Sequence, residues 1–269
     1  MKSAVTISLV EEARGGPFVL WEGIEAGCRT AADLGFDAVE IFPPSPEAVA
    51  EELVRPHLEA HNLTLAGIGT GAGKVKHGLT LVDEDATRRG EAVKFVKQII
   101  DAAAVFGAPA IIGSMQGFND HTAAREHLVA SLKECGAHAA SKGTKLIYEP
   151  LNRYETNHCT TMAAGVELLT EVGGSDVVLL ADLFHMNIEE TDLAAAIKAT
   201  VAHIGHVHFV DSNRRPAGMG HTDFAPVVAA LKEGGYDGYL SAEAFPYPGE
   251  REAAEATIHA FRDLVSGPA

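Results

Sequence analysis

Leu34-Gly35-Phe36-Asp37-Ala38-Val39 reads as the close of a helix and the start of a strand. A glycine stands where a helix ends, an aromatic and an acid follow, and small and β-branched residues continue the chain. Gly234-Gly235-Tyr236-Asp237-Gly238-Tyr239 repeats that order near the other end, and Val105-Phe106-Gly107-Ala108-Pro109 takes the same place before another apolar run. Working outward from these junctions, eight short apolar runs predict strands at 5–9, 38–42, 64–68, 110–113, 145–149, 177–182, 205–210 and 238–243. Each is bounded by Gly, Pro or an acid, as strands buried on both faces are. Between them lie helical stripes. Trp21, Ile24, Cys28 and Ala31 form one; Val93, Val96, Ile100 and Ala103 a second; Leu128, Leu132, Cys135 and Ala139 a third; Ala254, Ile258, Phe261 and Val265 a fourth. Steps of three and four put each set on one face of a helix. No Ser/Gly/Pro-rich linker divides the chain. Eight strands alternating with eight helices predict an α/β fold, a single (β/α)8 TIM-barrel domain over 1–269. A doubly wound open sheet is the alternative, and no G-x-G-x-x-G opens a helix after the first strand to support it.

The charge balance narrows the partners. Lys and Arg number 21 against 37 Asp and Glu, a net charge of −16 at pH 7. Such a field repels phosphate backbones and anionic lipid, so neither nucleic acid nor membrane is an expected partner. Most of these acids fall on the polar faces of the predicted helices. Cys28, Cys135 and Cys159 are widely spaced and form no C-x-x-C pair, unlike a disulfide framework or a thiolate metal site. The first sixteen residues, MKSAVTISLVEEARGG, lack the apolar core of a signal peptide. A cytoplasmic location is expected, and the assembly is expected to be a homo-oligomer.

One glycine cluster, Gly69-Thr70-Gly71-Ala72-Gly73-Lys74, ends in Gly-Lys. A phosphate-binding loop needs G-x-x-x-x-G-K-[ST], and Ile68 and Val75 break that pattern at both ends. The segment is expected to be a flexible loop after the third strand, from which Lys74, Lys76 or His77 could reach a substrate. Trp21 and Phe42 are further candidates for the pocket wall.

In a barrel, chemistry sits where strands end at the C-terminal face. The fifth strand ends in LIYEP, placing Glu149 at its tip, and Pro150 holds Glu149 extended. The sixth ends in LLADLFH, with Asp182 at the tip and His185 three residues on. The seventh reads HVHFVDSNRR, and its alternation puts His206, His208 and Val210 on one face with His208 nearer the top. The eighth reads YLSAEAF and ends at Glu243. A strand-end acid by itself ordinarily caps the next helix. Glu, Asp, His and Glu on four consecutive strand ends form a set that suits Mn²⁺, Mg²⁺, Co²⁺ or Zn²⁺. Three such carboxylates close together repel one another unless a cation lies between them.

The segments EPLNRYETN (149–157), ADLFHMNIEE (181–190), HVHFVDSNRRPAGMGHTDF (206–224) and YLSAEAF (239–245) resemble the sugar isomerase/epimerase superfamily. These are xylose-isomerase-like barrels that include D-tagatose and D-allulose 3-epimerases and hydroxypyruvate isomerase. The stretches GIGTG (67–71), HGLTL (77–81) and FGAPAIIG (106–113) look closest to the 5-keto-L-gluconate epimerase branch. The resemblance implies that Glu149, Asp182, His208 and Glu243 bind the metal, usually Mn²⁺ with Co²⁺ or Mg²⁺ accepted. It also implies that Glu149 and Glu243 move protons, and that Glu155, His185 and Arg214 bind substrate.

The chemistry agrees with that implication. The proton beside a ketone is weakly acidic, and a dication chelated by the carbonyl and the neighbouring hydroxyl stabilises the enediolate formed on its loss. One carboxylate takes the proton from one face and another returns one to the opposite face. The expected enzyme is therefore an isomerase: a metal-dependent 3-epimerase of a ketose or keto-sugar acid. An aldose–ketose isomerase of the hydroxypyruvate isomerase type is the alternative. An endonuclease IV-like DNA-repair enzyme would need further His ligands on early strands. The third and fourth strands end instead in Gly67-Ile68-Gly69 and Ile112-Gly113.

Overall fold

The computed structural model describes residues 1–174 and 176–266. Its strands are β1 (Lys2–Ser8), β2 (Ala38–Phe42), β3 (Thr64–Gly69), β4 (Ala110–Ile112), β5 (Leu146–Tyr148), β6 (Val177–Asp182), β7 (Ile204–His208) and β8 (Tyr239–Ala242). All pair in parallel in chain order, and β8 returns to β1 through Lys2↔Tyr239, closing the barrel. The helices are α1 (Gly23–Leu34), α2 (Glu51–Ala60), α3 (Ala72–His77), α4 (Ala86–Ala104), α5 (Ala124–Ser141), α6 (Met162–Val172), α7 (Leu183–Glu189), α8 (Leu193–Thr200), α9 (Phe224–Glu233) and α10 (Glu250–Phe261). The (β/α)8 reading of the sequence is thus the observed fold. Ten α-helices among the described residues exceed the expected eight because α3 and α7 are short additions at strand ends.

The junctions that suggested the repeat have a common physical basis. Gly35, Gly107 and Gly235 all adopt left-handed backbone, with φ of 81°, 68° and 74°, a region that costs glycine little. After Gly35, Asp37 turns back to β1. Its Oδ2 accepts from Ser3 N at 2.7 Å and from Ser3 Oγ at 2.9 Å, tying the first helix–strand junction to the neighbouring strand.

Alternation divides the side chains between two environments. Val5, Ile7, Val39 and Ile41 pack outward into the main core with Val96, Ile100, Leu128 and Leu132 from the helical stripes. Ala4, Ala38 and Ala66 meet Tyr239 inside the barrel, and Ile111, Ile147 and Leu180 form a second inner cluster. The inward set then turns polar, with Thr6, Glu40, His206, His208 and Ser241 all buried. No helix among the described residues is long and apolar enough to cross a membrane. Cys28, Cys135 and Cys159 are buried free thiols, and burial pushes Cys28 up to about 11 and Cys135 to about 12.

The glycine cluster departs from expectation. It is not a flexible loop: its second half folds into α3. Gly69 and Gly71 leave room for the Phe42 ring, since a Cβ on either would stand 2.8 Å from it.

Candidate active site

The strand ends converge as their spacing predicts, although β5 and β8 stop one residue before Glu149 and Glu243. Glu149 N donates to Ile112 O at 2.9 Å, which continues the ladder in fact. A Cβ at Gly113 would come within 2.6 Å of Glu149 Oε2, so glycine there makes room for the carboxylate. Glu149, Asp182, His208 and Glu243 each present an atom within 4.8 Å of the others. His208 Nδ1 lies 3.0 Å from Asp182 Oδ2, 3.5 Å from Glu149 Oε1 and 3.6 Å from Glu243 Oε2. The set is therefore a candidate cation site. Its fit is supported by Glu149 Oε1, a buried oxygen with no hydrogen-bond partner that faces His208 Nδ1.

The fields at these groups differ. Burial raises the Asp182 carboxyl, but His185 and His208 outweigh it and hold the group well below its ordinary range. At Glu243 burial prevails over His208 and Arg214, and the carboxyl rises to about 7. The imidazoles thus hold Asp182 ionised while burial favours the acid form of Glu243 within one site.

The three residues expected to bind substrate surround the set. His185, 1% exposed, stands on α7 with Nε2 3.7 Å from Glu149 Oε1. Its Nδ1 accepts from Asn152 Nδ2 at 2.7 Å, so the ring proton belongs on Nε2, which has no other partner. Asn152 also donates to Glu155 Oε1 at 3.0 Å. Sequence reading passed over Asn152, although it lies inside the quoted EPLNRYETN. Arg214 adopts left-handed backbone, φ 58°, unusual for a residue with a Cβ. Its Nη2 donates to Glu243 Oε2 at 3.0 Å and its Nη1 to Glu155 Oε1 at 3.2 Å, while the guanidinium lies 4.8 Å from the Phe184 ring centre.

Glu40 was also missed. Its carboxylate comes from β2 into the barrel, where it meets His206 Nε2 at 2.8 Å and His208 Nε2 at 3.3 Å. Burial raises this carboxyl, but His208 and His206 outweigh it and hold it down. The available signal was period-two alternation, which turns Glu40 inward between Val39 and Ile41.

A cavity of about 310 Å³ opens over the set, walled by Phe18, Phe42 and Val75 on its apolar side. Phe42 thus takes its expected place. Trp21 does not line the cavity. It packs edge-on against Phe18 and donates to Phe18 O at 2.7 Å. Lys74, Lys76 and His77 do not line it either. Lys74 sits over the Phe118 ring, Lys76 pairs with Glu12, and His77 lies against Phe95. Helix formation in α3 turns these groups away and leaves Val75 facing the cavity.

The family described as Xylose isomerase-like TIM barrel matches residues 28–264. An L-ribulose 3-epimerase of Methylomonas sp. is 32% identical over 244 residues, covering 86% of this chain and 84% of that protein. A D-psicose 3-epimerase of Enterocloster bolteae is 31% identical over 245 residues, covering 86% and 79% respectively. The crystal structure of a 3-keto-D-glucoside 4-epimerase from E. coli superposes with a TM-score of 0.79, covering 99% of this chain and 100% of that one. At 24% identity that likeness speaks for the fold. With the closed barrel, the four convergent strand ends and a family match over most of its length, the chain belongs to the xylose isomerase-like TIM barrel family.

Proposed function

We propose that this protein is a divalent-cation-dependent epimerase that inverts C3, next to the keto group of a ketose. Glu149 and Glu243 act as the acid/base pair, and Glu149, Asp182, His208 and Glu243 hold the cation, with Mn²⁺ the expected metal. One observation carries the reading: two carboxylates just past the ends of β5 and β8, Glu149 buried and Glu243 largely so, face one imidazole nitrogen, and one Glu149 oxygen has no partner. The 3-epimerase relatives support the reaction class. When bound, the cation supplies electrostatic stabilisation for negative charge developing on two neighbouring substrate oxygens. Glu149 takes the C3 proton from one face and later yields it to solvent, while Glu243 delivers to the other face a proton drawn from solvent. His185 donates its Nε2–H to a substrate oxygen. Arg214 braces Glu243, and Glu155 braces Arg214.

The charge around the cavity favours a neutral sugar over the keto-sugar acid admitted by the sequence. Arg214 is the single Lys or Arg among the described residues lining the cavity, and both its terminal nitrogens are already engaged by carboxylates. An anionic substrate finds there no cationic side chain outside this ion-pair network, in which, of the guanidinium nitrogens, only Arg214 Nε is without a hydrogen-bond partner.

The test is a panel of free ketoses, keto-acids and ketose phosphates incubated with Mn²⁺ in D₂O and read by NMR after metal removal. Deuterium at C3 of a free ketose is expected, with keto-acids and phosphates at least about tenfold slower, as unpaired anions are in a site of like charge. Label confined to C1 would instead establish the aldose–ketose isomerase. An unchanged rate after verified chelation would remove the cation from the reaction.

A further inference from the structure

Beneath the four-residue set lies a buried layer to which the proposed reaction assigns no task. Glu40, 5% exposed, enters it from β2, with His206 and His208 above and beside it on β7. Each carboxylate oxygen takes one imidazole: Oε2 faces His206 Nε2 at 2.8 Å and Oε1 faces His208 Nε2 at 3.3 Å. A carboxylate accepts and cannot donate, so a proton lies on an imidazole nitrogen that faces one. In His208 both nitrogens face carboxylates, Nε2 toward Glu40 at 3.3 Å and Nδ1 toward Asp182 Oδ2 at 3.0 Å, so a cation among Glu149, Asp182 and Glu243 would take the proton's place at Nδ1 and leave the Nε2–H to Glu40. A neutral ring protonated at Nε2 has its lone pair at Nδ1. In His208, Nδ1 is the atom directed at Asp182, Glu149 and Glu243.

We propose that Glu40 is a positioning residue that holds His208 in the Nε2–H tautomer and so presents its Nδ1 lone pair to the cation, with His206 anchoring the other carboxylate oxygen. The inference rests on the reading of Glu149, Asp182, His208 and Glu243 as the cation site. Outer carboxylates commonly fix the tautomer and orientation of a ligating histidine. Glu40, His206 and His208 also lie close enough together to hold an ion of their own. Hydrogen bonding speaks against that use. Each N–H in this layer has its own acceptor oxygen, and the unpartnered atom is His206 Nδ1, across the ring from Glu40. In the upper set the unpartnered atom, Glu149 Oε1, is a carboxylate oxygen 3.5 Å from His208 Nδ1, a donor atom left over for an ion.

The experiment titrates Mn²⁺ into chelator-stripped protein and reads free Mn²⁺ by electron paramagnetic resonance, comparing the parent with Glu40→Gln and Glu40→Leu. The parent is expected to bind one ion per chain. Gln keeps one acceptor and lowers affinity about tenfold, while Leu keeps none and lowers it toward about 100-fold, the range seen when such outer partners are lost. Melting of the metal-free proteins reports whether each variant is folded. Should Leu not fold, the Gln variant and the imidazole ¹⁵N shifts of the Mg²⁺-loaded parent decide, with His208 expected to be protonated at Nε2. Affinities within twofold of the parent in the folded variants, or a loaded His208 protonated at Nδ1, would overturn the proposal. Two ions per chain in the parent falling to one in Glu40→Gln would overturn it in favour of a second cation site. A parent that binds no ion would bring down the cation reading itself.

Discussion

At Asp182 the two carboxylate oxygens do different things. Oδ1 accepts from Phe184 N at 2.8 Å and His185 N at 3.0 Å, capping α7, while Oδ2 faces His208 Nδ1 at 3.0 Å. Helix cap and ligand were competing readings of a strand-end acid in the sequence, and one side chain serves both geometries. The cap also sets the direction of α7 and with it the place of His185. Glu149→Gln and Glu243→Gln are each expected to lower kcat by about 10³-fold or more, the range for removing a positioned acid or base. Circular dichroism should be unchanged, and either variant keeping turnover within tenfold of the parent would dismiss the two-base reading. Asn152→Ala removes the Nδ2 donor that ties His185 and Glu155 together but keeps the backbone N–H, which points at His185 Nδ1 at 3.2 Å, so the tautomer is retained while the ring and Glu155 lose a brace. The substitution is expected to lower kcat/KM about tenfold in steady-state assays, about 1.4 kcal/mol of transition-state stabilisation. No change would mean that His185 is oriented without the Asn152 side chain.

At the scale of elements, the segment after β7 carries its own scaffold. Asp211 is buried and accepts from Ser212 N at 2.7 Å, Thr222 N at 3.1 Å and Gly218 N at 2.9 Å, closing the loop that holds Arg214 in left-handed backbone. Loops position function well when such internal bonds make them rigid. Asp211→Ala strands several backbone donors and is expected to cost about 2–4 kcal/mol in urea denaturation. Activity should fall as well, because Arg214 loses its hold on Glu243. A stability loss with undiminished kcat/KM would separate the loop from the chemistry. Of this loop the sequence showed Arg214 but not its conformation, since a positive φ on an arginine follows from the closed loop and from no local propensity.

For the whole molecule, the question is where the −16 charge goes. Much of it lies on exposed helix faces, as in Glu51, Glu134 and Glu171, each paired with a basic side chain. The barrel concentrates another part, with Glu40, Glu149, Asp182 and Glu243 meeting below the cavity. On the proposed reading a divalent cation bound there would stabilise the fold, and chelation is expected to lower Tm by the loss of about 2.7 kcal/mol when the metal had been at a hundredfold excess over Kd. The pH dependence has a definite sign. Glu243 rises from an ordinary 4.5 to about 7 because burial outweighs His208 and Arg214. In the metal-free fold its stabilising contribution is complete below the ordinary value and is lost as pH rises through about 7. The cation takes the carboxylate form, so binding near pH 6 should release about one proton more than near pH 8. Calorimetry in two buffers of different ionisation enthalpy measures the difference, and equal release at both pH values would argue against a raised Glu243.

The sequence by itself determined the repeating unit and the ring it builds. Glycine-ended helices, period-two strands and helical stripes are local patterns, and eight of them in alternation leave a closed parallel barrel as the simplest way to bury every strand. It also marked Glu149, Asp182, His208 and Glu243, because a strand end is a one-dimensional landmark and in a barrel all such ends share one face. The tertiary structure alone decided what lies across the ring. Glu40 meets His208 over a separation of 168 residues, Asn152 meets His185 over 33, and the former glycine loop turns its lysines away as α3. Alternation tells which side chains point inward, but barrel closure and helix packing set which of them touch.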